Sequence, residues 1–313
     1  MPRRRIDGST DLGDPMDQAP GSPPGPQDAQ SPPTCYRHPD RETGIRCTRC
    51  ERPICPECMV SASVGFQCPD CVRNGSGTGH APGATTPRTL AGGTITADPR
   101  LLTKILIGLN VAAYVLQLSI GDNFTQRFEL IGSAYYQGLG SVEGVAEGQW
   151  YRLLTSMFLH GSLMHIIFNM LSLWWIGGPL EAALGRARYL ALYVVAGLAG
   201  SALTYLIEAP NQPSLGASGA IFGLFGATAV LMRRLNYDMR PILALLVINL
   251  IFTFGMSNIA WQAHIGGLVA GVVIGYAMVH APRERRSLVQ YGVCGVVLVA
   301  VVVMTLIRTG QLL

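Results

Sequence analysis

Ser214-Leu215-Gly216-Ala217-Ser218-Gly219-Ala220-Ile221-Phe222-Gly223 sets a serine, Ser218, among small residues where a long apolar run begins. Forty-six residues after Ser218 a second apolar run opens with Ala263-His264-Ile265-Gly266-Gly267. A lone Gly-x-Ser-Gly occurs in many loops and helix starts and decides little. Here, however, both polar residues head a predicted membrane helix, where a polar group needs a reason. Both helices also carry glycines four residues apart: Gly219 and Gly223 on one, Gly267, Gly271 and Gly275 on the other. Small residues at that spacing let helix backbones approach closely in lipid. Close approach is what a serine hydroxyl and an imidazole need to share a proton.

The rest of the chain fits a membrane setting. Of 313 residues, 49% are hydrophobic and only 13% charged, with a mean hydropathy of +0.31. Soluble domains carry about 25% charged residues. A net charge of +4 is too small and scattered for nucleic-acid binding. Apolar segments predict helices at about 101–119, 162–178, 187–207, 218–235, 241–256, 264–281 and 288–307, near the ~20 residues that span a bilayer. The fold class is therefore an all-α polytopic membrane protein. Arginines follow the second, fourth and sixth helices (Arg186 and Arg188; Arg233, Arg234 and Arg240; Arg283, Arg285 and Arg286), whereas 208–217 and 257–263 contain no Lys or Arg. Positive loops stay cytoplasmic, so the amino terminus is expected in the cytosol. The heads of helices two, four and six are then expected in the outer half of a multi-pass cell-membrane protein.

Gly216-Ala217-Ser218-Gly219, the Ala-His-Ile-Gly-Gly block and the earlier His160…His165…Asn169 together resemble the rhomboid family of intramembrane serine proteases. The resemblance covers roughly residues 100–281 and implies a six-helix core. The seventh helix, in 282–313, is an extra carboxy-terminal element. It implies an endopeptidase that cleaves transmembrane protein substrates at helix-destabilising, small-residue segments. Ser218 is the expected nucleophile, forming an acyl-enzyme, and His264 the expected base. With no Asp or Glu at that depth, a dyad is implied, and no cofactor serves catalysis. Asn169 lies one turn beyond His165 on one helical face. Asn169, His165 and Gly216 are expected at the oxyanion site with the Ser218 N–H at its helix start. His160 either assists there or faces water. Phe222 stands where some rhomboids have a tyrosine beneath the base, and Glu181 near Gly185 is expected to be structural. The segment between helices one and two, about 120–161, is rich in aromatic residues and is expected at the headgroup level. Rhomboids have a Trp-Arg pair near the end of this loop, which Trp150-Tyr151-Arg152 interrupts. Catalytically silent relatives that bind membrane clients lack the serine or the histidine, and this chain keeps both. A transporter would show an inverted repeat or a row of intramembrane charges.

The first hundred residues differ in kind. Residues 1–33, rich in Pro, Gly, Asp and Gln, are expected to be disordered. Residues 34–72 hold seven of the eight cysteines as Cys35-x2-His38-x8-Cys47-x2-Cys50-x4-Cys55-x2-Cys58-x9-Cys68-x2-Cys71. Four two-residue-spaced pairs supply two tetrahedral Zn²⁺ sites of structural type; a disulfide framework would need an oxidising compartment. The gap after Cys50 favours a cross-brace, with Cys35, His38, Cys55 and Cys58 on one ion and Cys47, Cys50, Cys68 and Cys71 on the other. A sequential pairing stays open. The first six ligands are similar to a B-box zinc finger, and a cytosolic protein partner is a possible use. Residues 73–99, with His80, are expected to be a flexible linker, so a chain starting near Pro99 is expected to keep its activity.

Overall fold

The computed structural model describes the backbone of residues 32–62, 64–74, 88–255 and 260–313, and their side chains except at 252–255. The expected disorder before residue 32 and the linker residues 75–87, His80 included, lie outside the described residues. The chain divides into two compact units, Met1–Thr85 and Thr86–Leu313.

In the first unit, strands β1 (Thr34–Cys35) and β2 (His38–Glu42) pair antiparallel, as do β3 (Val60–Ser61) and β4 (Phe66–Gln67), followed by α1 (Pro69–Arg73). Among the described residues, its buried core consists of Ile54 and six of the cysteines, with Cys50, Tyr36 and Met59 partly buried against them. So few apolar side chains do not stabilise a fold of this size without a further cross-link.

The second unit comprises α2 (Leu101–Ile120), α3 (Asp122–Phe128), β5 (Ala134–Tyr136), β6 (Ser141–Glu143), α4 (Arg152–Thr155), α5 (Leu163–Leu184), α6 (Arg186–Ile207), α7 (Ser218–Arg234), α8 (Arg240–Gly255), α9 (Trp261–His280) and α10 (Arg286–Leu312). Among the described residues, five helical segments are long and apolar enough to cross a membrane: α2, α5, α6, α9 and Arg283–Leu312. The helix that begins at Ser218 has only 17 residues. It packs against α5, α6 and α9, and most of its side chains are buried. A helix enclosed by other helices need not match the bilayer thickness, so its first residue is free to start below the surface.

Three helix ends differ from the sequence reading. The second predicted helix, placed at 162–178, runs on through Gly177-Gly178-Pro179 to Leu184. Neighbours fill the room the glycines leave: a Cβ on Gly177 would meet Tyr189 Oη at 2.5 Å, and one on Gly178 would meet Arg100 Nε at 2.7 Å. The extra turn carries Glu181, whose carboxylate accepts from the Leu102 and Thr103 amides at 3.0 and 2.9 Å and from the Thr103 hydroxyl. It thereby satisfies donors at the start of α2 that have no partner inside the helix, the structural role expected of it. The helix carrying His264 starts earlier than expected, at Trp261, and the last helix continues to Leu312.

The insertion between α2 and α5 is built on Arg152. Its side chain is fully buried and donates to Gln149 Oε1 (2.6 Å), to the carbonyls of Gln126 (2.7 Å) and Glu129 (2.9 Å), and to Glu143 Oε2 (2.9 Å). Hydrogen bonds from Ser141 and Gln149, with Arg152 alongside, hold the Glu143 carboxyl below its usual range. A lowered carboxyl stabilises the fold above its unfolded pKa, and that contribution is lost as pH falls through the folded value. Residue order in Trp150-Tyr151-Arg152 therefore leaves the arginine's anchoring intact.

The stretch 88–98, read as linker, is folded against the membrane unit. Arg88 bridges Thr94, and Ala91 is buried. The Ala91 N–H donates to Ala183 O at 3.2 Å in the last turn of α5. A Cβ on Gly93 would sit 2.5 Å from Leu184 O, so backbone lies on backbone. From α10, buried Gln290 donates to Ala91 O (3.0 Å) and to Met278 O (2.8 Å) near the end of α9, and accepts from Arg188 Nε (2.6 Å). Truncation at Pro99 strips partners from these buried groups, each worth about 1–3 kcal/mol when left unsatisfied. A chain starting at Pro99 is therefore expected to melt lower in detergent than one starting at Thr86. Equal melting temperatures would show that the segment contributes nothing.

Candidate active site

The glycine faces meet as their spacing required. A Cβ added to Gly267 would collide with Gly219 O, one on Gly271 with Gly223 O, and one on Gly275 would lie 2.6 Å from Ala227 Cα. With α7 and α9 in backbone contact, the first residue of one and the first turn of the other come together. Ser218 Oγ and His264 Nε2 are 2.7 Å apart. Phe222, one turn beyond Ser218, stacks beneath the imidazole with ring centroids 4.1 Å apart and planes 3° from parallel. That stack fixes the plane in which the ring presents its nitrogen. A third close approach had no signal in the glycine pattern: Gly200 of α6 lies against the Ala263 carbonyl, 2.5 Å from a Cβ built there.

Opposite this pair stands His165. Its Nδ1 lies 3.5 Å from the Gly161 amide nitrogen. The Nε2 faces the space beside Gly216. A Cβ on Gly216 would lie 3.0 Å from His165 Nε2 and 3.5 Å from Ser218 Oγ. One gap thus has an imidazole nitrogen on one wall and the serine oxygen on the other, and any side chain at 216 would close it. Gly216 also has φ +138°, a conformation other residues rarely adopt. Its own N–H donates to Ser156 O at 2.9 Å, so what Gly216 brings to this space is room. The Ser218 N–H, first in its helix, is among those without an intrahelical acceptor. Asn169 lines the same cavity and is fixed by a 2.9 Å bond from Nδ2 to His165 O.

His160 does not face water. It is 2% exposed and packs edge-on against the His165 ring at 5.1 Å. Its backbone is clamped by Gln117 of α2, which accepts from the His160 N–H (2.9 Å) and donates to its carbonyl (3.3 Å). The cavity lined by His165, Asn169, Gly216, Ser218 and His264 measures about 450 Å³, and His160 is not among its lining residues. Glu129 of the insertion lines it too, bonded by the Tyr136 hydroxyl at 2.5 Å. Next to it, Leu130 exchanges backbone hydrogen bonds of 2.9 and 2.8 Å with Ser214, tying the insertion to the segment that leads into Ser218.

A family model described as "Rhomboid domain" matches residues 147–281. The putative rhomboid protease YdcA of Bacillus subtilis is 37% identical over 148 residues, 46% of this chain and 74% of that protein. The rhomboid protease AarA of Providencia stuartii is 30% identical over 219 residues, 59% of this chain and 75% of the relative. This chain belongs to the rhomboid family. A further relative, the rhomboid protease GluP of Bacillus subtilis, is 36% identical over 176 residues, 54% of this chain but only 33% of GluP.

Outside the matched domain, the described residues of this rhomboid include two clusters of metal-ligand type. Cys35, His38, Cys55 and Cys58 form one, and Cys47, Cys50, Cys68 and Cys71 the other, with ligand atoms within 4.8 Å of one another in each. This is the cross-brace grouping. His38 Nδ1 lies 3.3 Å from Cys55 Sγ, 3.5 Å from Cys58 Sγ and 3.9 Å from Cys35 Sγ, and Cys50 and Cys68 sulfurs are 3.7 Å apart. Ligands at about 2.3 Å (S) and 2.0 Å (N) around tetrahedral Zn²⁺ would be separated by similar edges. Amide N–H groups of Cys68 and Cys71 point at the Cys47 and Cys68 sulfurs (3.2 and 3.4 Å), as thiolates favour. The donor sets therefore fit zinc.

Proposed function

We propose that this rhomboid is a serine endopeptidase that cleaves transmembrane proteins within or beside the bilayer. The observation that carries the reading is the 2.7 Å contact between Ser218 Oγ and His264 Nε2. A serine hydroxyl is a poor nucleophile until a base takes its proton. His264 Nε2 takes it as Ser218 attacks the scissile carbonyl, then returns it to the leaving amine. Water, deprotonated by the same ring, hydrolyses the acyl-enzyme. The charge developing on the carbonyl oxygen falls in the gap at Gly216, where His165 Nε2, Asn169 and the Ser218 amide stabilise it. Substrates are transmembrane proteins whose helix unwinds locally, because an intact helix shields its peptide bonds. A catalytically silent client-binding role is not favoured, since both dyad residues are present and in contact. Co-expression with candidate single-span proteins tests the reading: a cleavage product is expected with the wild type and none with Ser218→Ala. The same product from Ser218→Ala would refute it.

We further read the amino-terminal unit as a cytosolic domain with two structural Zn²⁺ ions, which cross-link a core too small to hold itself. They take no part in the hydrolysis. The full chain is expected to carry two Zn²⁺ and the Cys47→Ser, Cys50→Ser double variant one, by metal analysis; a wild-type content of one or zero would refute the two-site assignment.

A further inference from the structure

Helix α10 lies outside the rhomboid-matched segment and packs on α6 and α9. At its far end Arg308 Nη2 donates to the Glu208 carbonyl at 2.8 Å, just past α6, and Thr309 Oγ1 is 3.0 Å from Tyr205 Oη. Leu312 packs against Leu130, Val145, Leu153 and Tyr205, the small core beneath the insertion. The Glu208 carboxylate continues the chain of contacts by accepting from Gln262 Nε2 at 2.6 Å. Gln262 is 4% exposed and stands two residues before His264, in the first turn of α9. That turn has no side-chain cap at Ala260. The Glu208–Gln262 bond is therefore a side-chain tether from the end of α6 to the very turn that carries the imidazole.

We propose that α10 is part of the catalytic unit: through Arg308 it holds Glu208, and through Glu208 and Gln262 it sets the position of His264. Glu208, Gln262 and Arg308 are positioning residues, since none touches the reacting atoms. A small error in the placement of a base is costly, because a misplacement of about 1 Å loses roughly 10²-fold in rate. The inference rests on His264 being the base.

The test is the rate of covalent labelling by a fluorophosphonate in the full-length protein, resolved into probe binding (KI) and bond formation (kinact). Glu208→Ala is expected to lower kinact by about 10- to 100-fold with KI unchanged. Glu208→Gln keeps an oxygen for Gln262 and is expected to restore labelling. Gln262→Ala should match Glu208→Ala, and the double variant should be no slower, as for two ends of one interaction. Gln290→Leu, at the opposite end of α10, serves as a stability control; it is expected to melt lower while its folded fraction labels normally. Arg308→Ala is expected to lower kinact as well, and it decides the matter where Glu208→Ala fails to insert. Wild-type kinact in folded Glu208→Ala or Arg308→Ala would overturn the proposal, as would failure of Glu208→Gln to restore it. His264→Ala and Ser218→Ala measured in parallel separate this from the base assignment itself: labelling at the wild-type rate in His264→Ala defeats that assignment whatever Glu208 does.

Discussion

Gly267→Ala is expected to inactivate the protein although it alters no reacting group. The new methyl would fall on the Gly219 carbonyl, and no flexible side chain is there to move aside. Backbone must therefore yield, and α7 and α9 separate at the level where Ser218 and His264 meet. Overpacking of this kind costs about 1–3 kcal/mol in stability, so much of the protein should still insert and fold. The hydroxyl–imidazole contact of 2.7 Å has no such tolerance, and displacement of about 1 Å costs roughly 10²-fold. Fluorophosphonate labelling of the folded fraction, set beside its melting temperature, checks this. By contrast, Gly292→Ala in α10, where an added Cβ meets nothing within 4 Å, should label as wild type. Normal labelling by folded Gly267→Ala would mean that the close glycine packing is not what brings the dyad together.

Removal of the base and removal of an oxyanion donor should produce different defects. In His264→Ala nothing takes the Ser218 proton, so covalent labelling should vanish, as in Ser218→Ala. In Asn169→Ala the nucleophile stays activated and only transition-state binding suffers. Loss of one such donor costs roughly 10²–10³ in rate, about 2.7–4 kcal/mol, so slow labelling should survive. His165→Ala is expected to behave like Asn169→Ala, because His165 faces the gap at Gly216 and not the proton of Ser218. Circular dichroism and thermal melting must first show each variant folded, since Asn169 also bonds the His165 carbonyl. Wild-type labelling in folded His264→Ala together with none in His165→Ala would reverse the two roles.

The centre of the site was legible because its chemistry and its packing sit in the same short segments. Ser218 is flanked by the glycines that admit α9, and His264 by the glycines that admit α7. The stacked Phe222 follows from its place one turn after the serine. The two cysteine-rich clusters were legible from spacing alone, whereas their pairing was only favoured by it, because either arrangement satisfies the same intervals. What escaped were single polar side chains whose partners are remote in sequence. Gln117 clamps a backbone 43 residues away, Gln262 meets Glu208 at a separation of 54, and Gln290 reaches Ala91 across 199. Each looks like an isolated polar residue in an apolar helix. The docking of 88–98 was hidden for a related reason: Gly, Thr and Ala have a linker's composition, and only the backbone surface they meet shows why they are small. Helix α5 passes Pro179 because Glu181 beyond it is held by α2, a tertiary contact that local propensity does not carry.

The central claim is that Ser218, activated by His264, is the nucleophile of this rhomboid. Peptide mapping of the folded full-length protein after fluorophosphonate treatment tests it most directly. The account predicts one adduct per chain, located on Ser218 and absent from His264→Ala. An adduct on any other residue, or none on folded wild type, would contradict it.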